Sequence, residues 1–304
     1  MHLQEQFVQS VRLYFKDDGE KWLQELPSLI AYCERNWKLK LKDPYHLSIN
    51  YVAPATMEDN TEVVVKICLP GKEFTDELET LKLYNGRGTV KLIDSDTEKG
   101  ILILEKITPG YTLAEENNDE KACRVAAKLL KKLVIPAPNH TKISPVNNRE
   151  EKLRRLVINN PEGIGPISKE MMSKALNIFT YLTQTTSQVF LLHGDFHHYN
   201  ILSSANENYK AIDPKGVIGE LEYDLIQYML NKLPEKGAYS VIEKRVNIFT
   251  NELKLNKERL LLWGYCHTVL ATCWSVDDDG SYCKPFYGGI TIFEELHKDI
   301  FGSK

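Results

Sequence analysis

The sequence predicts an α+β chain of two lobes, a small and mainly β first lobe that includes a helix and a larger, mainly α second lobe. Three observations predict it. Short apolar runs suited to strands fill residues 36–105. Lys106-Ile107-Thr108-Pro109-Gly110 then breaks the pattern. Beyond that break, helical spacing dominates except around residues 189–213.

The elements follow in order. Residues 7–14 and 22–35 space their apolar side chains as helices do. Residues 36–41 alternate as a half-buried strand. After the Asp43-Pro44 turn, 46–56 and 62–68 form a strand pair joined through Glu58-Asp59-Asn60, and Leu69-Pro70-Gly71 stops the second strand. Residues 74–84 are helical, with Phe74, Leu78, Leu81 and Tyr84 on one face, and Asn85-Gly86 ends the helix. Strands at 90–94 and 100–105 complete the first lobe. In the second, 119–132 is helical and 134–145 is a Pro-rich connection. Helices follow at 149–159, 167–187, 223–231, 241–255 and 258–275. A small-molecule site is expected between lobes of this kind.

Composition narrows the function classes. The chain has 304 residues, 42% apolar and 26% charged, which is ordinary for a globular protein of one large or two medium domains. Its longest apolar runs are short, as in Ile101-Leu102-Ile103-Leu104, so no membrane span is expected. Met1-His2-Leu3-Gln4-Glu5-Gln6 has no basic stretch before an apolar core, so a cytoplasmic protein is expected. A net charge of −4 argues against a nucleic-acid partner and is compatible with a cationic small molecule. The six cysteines form no C-x-x-C pair, and Cys266, His267 and Cys273 read as core residues rather than a zinc site.

The chemistry concentrates in His193-Gly194-Asp195-Phe196-His197-His198-Tyr199-Asn200 and Ala211-Ile212-Asp213-Pro214. Both lie against short apolar runs, 189–192 and 209–212, as a functional loop on a rigid support does. Phosphoryl transfer to a hydroxyl needs a base at the acceptor proton and oxygen ligands for Mg²⁺. Asp195 suits the base; Asn200 and Asp213 suit the ligands. His193 and His197 are better suited to shaping the loop, because the transfer depends on positioning more than on a strong base. Asp224 has two structural readings: it caps the next helix, or it braces the loop by accepting backbone N–H groups.

Lys66 lies inside the apolar strand 62–67, where an ammonium needs a partner. It suits nucleotide phosphates, with Glu77 the better partner to fix it, because Glu77-x-x-x-Leu81 opens the next helix and faces the sheet, and Glu79 the alternative. These two differ by about 200° around a helix, so only one faces inward. The backbone groups of Glu105 and Ile107, at the start of the break, suit an adenine edge.

His193-Gly194-Asp195-x-His197-x-x-Asn200 resembles the catalytic loop of the aminoglycoside phosphotransferase superfamily, whose fold is protein-kinase-like. Ile212-Asp213-Pro214-Lys215-Gly216-x-x-Gly219-Glu220-x-x-Tyr223-Asp224 resembles its streptomycin 6-kinase and hydroxyurea phosphotransferase branch. So do residues 51–56, 85–92 and 269–275. The resemblance implies a nucleotide-binding lobe at 1–107 and a catalytic and acceptor lobe at 108–304. It implies ATP and Mg²⁺ as cofactors, Asp195 as base, Asn200 and Asp213 as metal ligands, and Lys66, paired with Glu77, on the phosphates. The acceptor it implies is an aminoglycoside, with hydroxyurea, a sugar, choline or an amino alcohol as alternatives on the same fold.

Two departures stand out. Tyr199 occupies a position where the superfamily commonly has Gly, and no G-x-G-x-x-G precedes Lys66, leaving the turn at residues 42–45 to cover the phosphates. Neither Asp-Phe-Gly nor Ala-Pro-Glu is evident, which disfavours a protein substrate. A nucleotide-binding pseudokinase is disfavoured because Lys66, Asp195, Asn200 and Asp213 are all present. A cationic acceptor would want carboxylates; Glu220, Glu222, Asp277, Asp278, Asp279, Glu294 and Glu295 are candidates, with solvated loops and caps as the alternative reading.

Overall fold

The structure, a computed structural model, describes residues 3–277 and 279–302. The chain divides into two compact units: Met1–Gly110 with Ser204–Asn206, and Tyr111–Ser203 with Glu207–Lys304.

In the first unit, α1 (Glu5–Asn36) breaks at Lys16, where φ 52° and ψ −129° leave the helical region. The two helices expected at 7–14 and 22–35 are the two arms of this element. Gly19 lets the arms approach, since a Cβ there would lie 2.7 Å from the Val11 carbonyl oxygen. Next come β1 (Leu39–Leu41), β2 (Tyr51–Met57), β3 (Glu62–Ile67), α2 (Lys72–Tyr84), β4 (Leu92–Asp96) and β5 (Ile101–Glu105). The strands form one antiparallel sheet of order β1-β2-β3-β5-β4.

Three strands start later than their sequence suggests. Trp37 still closes the helix, donating its N–H to the Cys33 carbonyl, so β1 begins at Leu39. Residues 46–50 lie outside the ladder, and β2 begins at Tyr51. A register shift between Leu92 and Asp94 moves β4 to 92–96. Alternation sorts the sheet's faces. Ala53, Val63, Val65, Ile67, Ile101 and Ile103 form one core with Phe7, Val11, Trp22 and Leu26 of α1. Lys66, with Cα partners Val52 and Leu102, points to the opposite face.

The chain continues through β6 (Pro109–Thr112), α3 (Asp119–Leu133), β7 (Ile135–Pro136), α4 (Asn147–Asn159), β8 (Gly163–Ile164), β9 (Ile167–Ser168) and α5 (Lys169–Gln184). Then follow β10 (Phe190–Leu192), β11 (Ile201–Ser204), β12 (Asn208–Ala211), β13 (Val217–Gly219), α6 (Leu221–Asp224), α7 (Ile226–Leu230), α8 (Ala238–Leu253), α9 (Lys257–Trp274) and α10 (Lys284–Phe301). In the second unit β10 is central in a three-stranded sheet, β13-β10-β7. The helix expected at 223–231 is two short helices that divide at Leu225. Arg245 of α8 satisfies the end of the second, donating to the carbonyls of Tyr228, Met229 and Asn231 at 2.7–3.0 Å while pairing with Asp119. No helix among the described residues is long and apolar enough to cross a membrane.

α9 is buried on nearly every side and forms the axis of the second unit. α10, which the sequence reading did not anticipate, packs along it. Gly288-Gly289 reads as a helix breaker, yet here small size is what matters. A Cβ on Gly289 would lie 2.6 Å from Leu230, and one on Gly264 of α9 would lie 2.5 Å from the buried Phe293 ring of α10. Gly264→Ala should therefore destabilise the fold by about 1–3 kcal/mol through overpacking, despite alanine's better helix propensity. Urea unfolding measures this, and an unchanged or raised midpoint would contradict the close packing of these helices.

Candidate active site

In the first unit, the strand-embedded Lys66 meets a carboxylate. Its Nζ lies 2.6 and 2.7 Å from the two Glu77 oxygens, and both side chains are almost fully buried. Glu77 is thus the inward-facing partner of Lys66, while Glu79 is only half-buried on α2. A two-oxygen grip fixes the ammonium's position, as a phosphate-binding lysine requires. Glu105 uses its own groups locally: its N–H donates to the Lys91 carbonyl at 2.9 Å, and its carboxylate accepts the Lys91 N–H at 3.0 Å. Ile107 is half-buried and opens a tight turn, in which a Cβ on Gly110 would lie 2.8 Å from the Ile107 carbonyl oxygen. The 42–45 segment runs along β2, with Lys42 N–H on the Pro54 carbonyl and Tyr45 N–H on the Val52 carbonyl.

In the second unit, strand register brings together two segments distant in sequence. Leu192 pairs with Val217, which sets the loop after β10 beside the residues before β13. The His193 carbonyl accepts N–H groups from Lys215 (2.8 Å) and Gly216 (3.1 Å). The Asn200 carbonyl accepts from Ile212 at 2.9 Å. Gly194 has φ 82°, a left-handed conformation that favours glycine.

Asp224 braces this loop and does not cap a helix. Its two oxygens accept the N–H groups of His193 (2.9 Å) and Gly194 (2.7 Å). Burial pushes its pKa up to about 6, against the pull of those two hydrogen bonds. His193 is a buried strut. Its Nε2 donates to the Ile212 carbonyl at 3.0 Å and its Nδ1 accepts the Asp195 N–H at 3.3 Å, which assigns the neutral Nε2–H tautomer.

Asp195 remains partly accessible. Burial opposes its charge, but the His197 hydrogen bond and the nearby Lys215 charge work against that, and the carboxyl is held below its usual value. Asn200 donates from Nδ2 to the Asp195 carbonyl (3.0 Å) and to its Oδ2 (3.3 Å). That leaves its Oδ1 as an oxygen that could ligate a metal. Asp213 sits at φ 59°, an uncommon conformation for a residue with a side chain, and its Oδ2 accepts from Lys215 Nζ at 3.1 Å. Asp213 and Asn200 together offer the hard oxygen donors that Mg²⁺ takes.

Tyr199 fits because its backbone is not left-handed: its N–H bonds His197 Nδ1 at 3.3 Å, and its ring is exposed. The inward position belongs to His198, which stacks on Tyr228 with ring centroids 3.9 Å apart. Phe196 stacks on the same Tyr228 at 6.3 Å, so α7 forms an aromatic floor under the loop. Sequence reasoning missed Lys215, which neutralises Asp213, and the Arg245 that anchors α7. Lys215 follows Asp213 by two residues, a signal that could have found it.

The acidic candidates are mostly engaged elsewhere. Glu220 accepts from Arg259 and Trp263 Nε1, both at 2.8 Å. Glu222 accepts the Asn256 N–H, and Glu294 pairs with Lys174. Asp277 and Asp279 hold the turn to Ser281. Asp278 lies outside the described residues.

A family model described as "Aminoglycoside/hydroxyurea antibiotic resistance kinase" matches residues 47–280. The streptomycin 6-kinase of Streptomyces griseus is 26% identical over 98% of this chain and 98% of its own. Among solved structures, choline kinase LicA from Streptococcus pneumoniae superposes with a TM-score of 0.63 at 14% identity, covering 91% of this chain and 99% of its own. Aminoglycoside phosphotransferase APH(4)-Ia, in a ternary complex with ADP and hygromycin B, gives 0.61 at 12% identity, covering 91% and 100%. These likenesses show the protein-kinase-like fold, with a mainly β first unit and a mainly α second unit.

Two predictions follow from these side chains. Lys66→Met should cost about 3–5 kcal/mol of stability by leaving Glu77 charged and buried, and adding Glu77→Leu should recover much of it. Chemical denaturation of the three proteins checks this; equal stability of the wild type and Lys66→Met would contradict a buried pair. Burial also holds His193, His198 and His267 near pKa values of about 4, 3 and 3. Unfolded histidine titrates at about 6.5, so below that pH the unfolded chain binds more protons than the folded one. Stability should therefore be full above about pH 6.5 and fall toward pH 4. The buried carboxyls of Asp224 and Glu222, both raised, oppose this by at most one proton each. A Tm that holds or rises from pH 7 to pH 4.5 would contradict the assignment.

Proposed function

The chain belongs to the aminoglycoside/hydroxyurea antibiotic resistance kinase family, and from that membership we propose that it transfers the γ-phosphate of ATP to a hydroxyl of an aminoglycoside-like acceptor, with streptomycin the first to test. As a member it is a phosphotransferase with an alcohol-group acceptor. The observation that carries the reading is the loop at residues 193–200. It offers an ionised, partly accessible Asp195 hydrogen-bonded to Asn200, on a backbone pinned by Asp224.

The roles follow from the chemistry. Asp195 orients the acceptor hydroxyl and takes its proton late, as a largely dissociative transfer allows. Asn200 Oδ1 and the Asp213 carboxylate would hold Mg²⁺, which supplies charge neutralisation on the phosphate oxygens when bound. Lys215 lowers the local negative charge around Asp213. Lys66, fixed by Glu77, binds nucleotide phosphates, and the adenine edge falls to the backbone from Glu105 to Ile107, apart from the Glu105 N–H that the Lys91 carbonyl takes. ADP in the APH(4)-Ia complex supports the choice of nucleotide. As proposed, the reaction draws on ATP and a small-molecule acceptor.

Asp195→Ala should reduce phosphate transfer to streptomycin by at least about 100-fold, the scale of one positioned acid–base group. Affinity for Mg·ATP should stay within about twofold, because Asp195 serves the acceptor. Product mass spectrometry and calorimetric ATP binding check both. Near-normal transfer in this variant would refute the base.

A further inference from the structure

The fold itself has little use for the charge on Lys215. Its Nζ lies 3.1 Å from Asp213 Oδ2, and the two side chains are 33% and 32% exposed. A pair so open to water adds little to stability. The backbone that carries it is nonetheless pinned. The N–H groups of Lys215 and Gly216 both donate to the His193 carbonyl, at 2.8 and 3.1 Å. Asp213 before it and Gly216 after it both hold a left-handed backbone, at φ 59° and 68°. Lys215 Cβ lies against Gly194, 3.4 Å from where a Cβ on that glycine would stand. The side chain is thus rooted beside the residue before Asp195 and ends on Asp213.

That span matters for the chemistry. In the phosphotransfer reading the acceptor hydroxyl meets Asp195, and the phosphate oxygens lie toward Asn200 and Asp213. The phosphoryl group in transit sits between these two places. Its charge is spread over three equatorial oxygens. A carboxylate on either side repels that charge, at short range and with limited screening. A cation already tethered across the span offsets the repulsion without having to be recruited. An ammonium suits this work. It is a compact charge with three donors, so it can keep its bond to Asp213 and still donate to a phosphate oxygen.

We propose that Lys215 is a further catalytic residue, whose ammonium, held at Asp213, donates to an oxygen of the γ-phosphoryl group as that group passes to the acceptor. Lys215 forms no covalent bond, moves no proton and stays charged throughout. Its contact is with the transferred group alone, so it distinguishes a nucleoside triphosphate from a diphosphate. This inference rests on the phosphotransfer reading given above.

The test compares wild type with Lys215→Met, Lys215→Gln and Lys215→Arg. Calorimetry measures the affinity of each for Mg·ADP and for the magnesium complex of the β,γ-imido analogue of ATP. Transfer from Mg·ATP to streptomycin gives kcat. Lys215→Met and Lys215→Gln should bind the imido analogue at least about tenfold more weakly, the worth of one hydrogen bond to a charged group. Their Mg·ADP affinity should stay within about twofold, and Tm should hold. Their kcat should fall at least about 100-fold, the scale of one donor lost from a transition-state charge. Lys215→Arg, which keeps the charge, should recover part of both losses. Equal weakening of ADP and the imido analogue would show that Lys215 acts only through Asp213 and overturn the proposal. Unchanged affinity for the analogue would overturn it too. The binding comparison needs no acceptor, so it decides the inference whichever acceptor the enzyme takes. A wild type that binds neither nucleotide would sink the phosphotransfer reading and this inference with it, whereas a wild type that binds both, with variants to match, would sink the inference alone.

Discussion

The Asp224 carboxylate, accepting the backbone N–H groups of His193 and Gly194, is the interaction on which the 193–200 loop depends. A buried carboxylate is costly, and its pKa of about 6 records that cost. Two charge-assisted hydrogen bonds offset it and fix the direction in which the chain leaves β10. From there the constraint spreads. The His193 carbonyl holds Lys215 and Gly216, its ring holds Ile212 and the Asp195 N–H, and Asn200 closes the loop on Asp195. The base role proposed for Asp195 needs a loop of this kind, because a positioned group displaced by about 1 Å loses most of its value.

The same logic explains what surrounds the loop. Phe196 and His198 insert aromatic rings against Tyr228, and Arg245 ties down the carbonyls at the end of α7. In the first unit the Lys66–Glu77 pair plays the corresponding part: one ammonium held by two oxygens on the sheet face opposite the α1 core. Both devices put charge where water is scarce, and both are stable only because every partner is present.

Much of this was legible in the sequence. The motif residues are close together in number, so Asp195, Asn200 and Asp213 could be grouped without coordinates, and the run of three valines before Lys66 in β3 marked that lysine as an anomaly. The spacing of Glu77 to Leu81 favours it over Glu79, and the helix phase places it on Lys66. Asp224 was visible as a structural residue, but which of its two roles it played depends on the turn that places it under residues 193 and 194. The rest was illegible for physical reasons. α10 carries a Gly-Gly pair that signals a break unless the close approach to Leu230 is known. Glu220 and Glu294 looked like ligands for a cation because their partners, Arg259 and Lys174, are 39 and 120 residues away. Long-range pairing leaves no periodic trace.

The most direct test of the account is the turnover of Asp224→Asn on the acceptor that wild type phosphorylates, alongside its affinity for Mg·ATP. An asparagine keeps the shape but offers one oxygen where two N–H groups must be accepted. The account requires kcat to fall by about 100-fold, the scale of a 1 Å misplacement of the base, with Mg·ATP affinity unchanged and the fold retained by circular dichroism. A folded Asp224→Asn protein with wild-type kcat would contradict it.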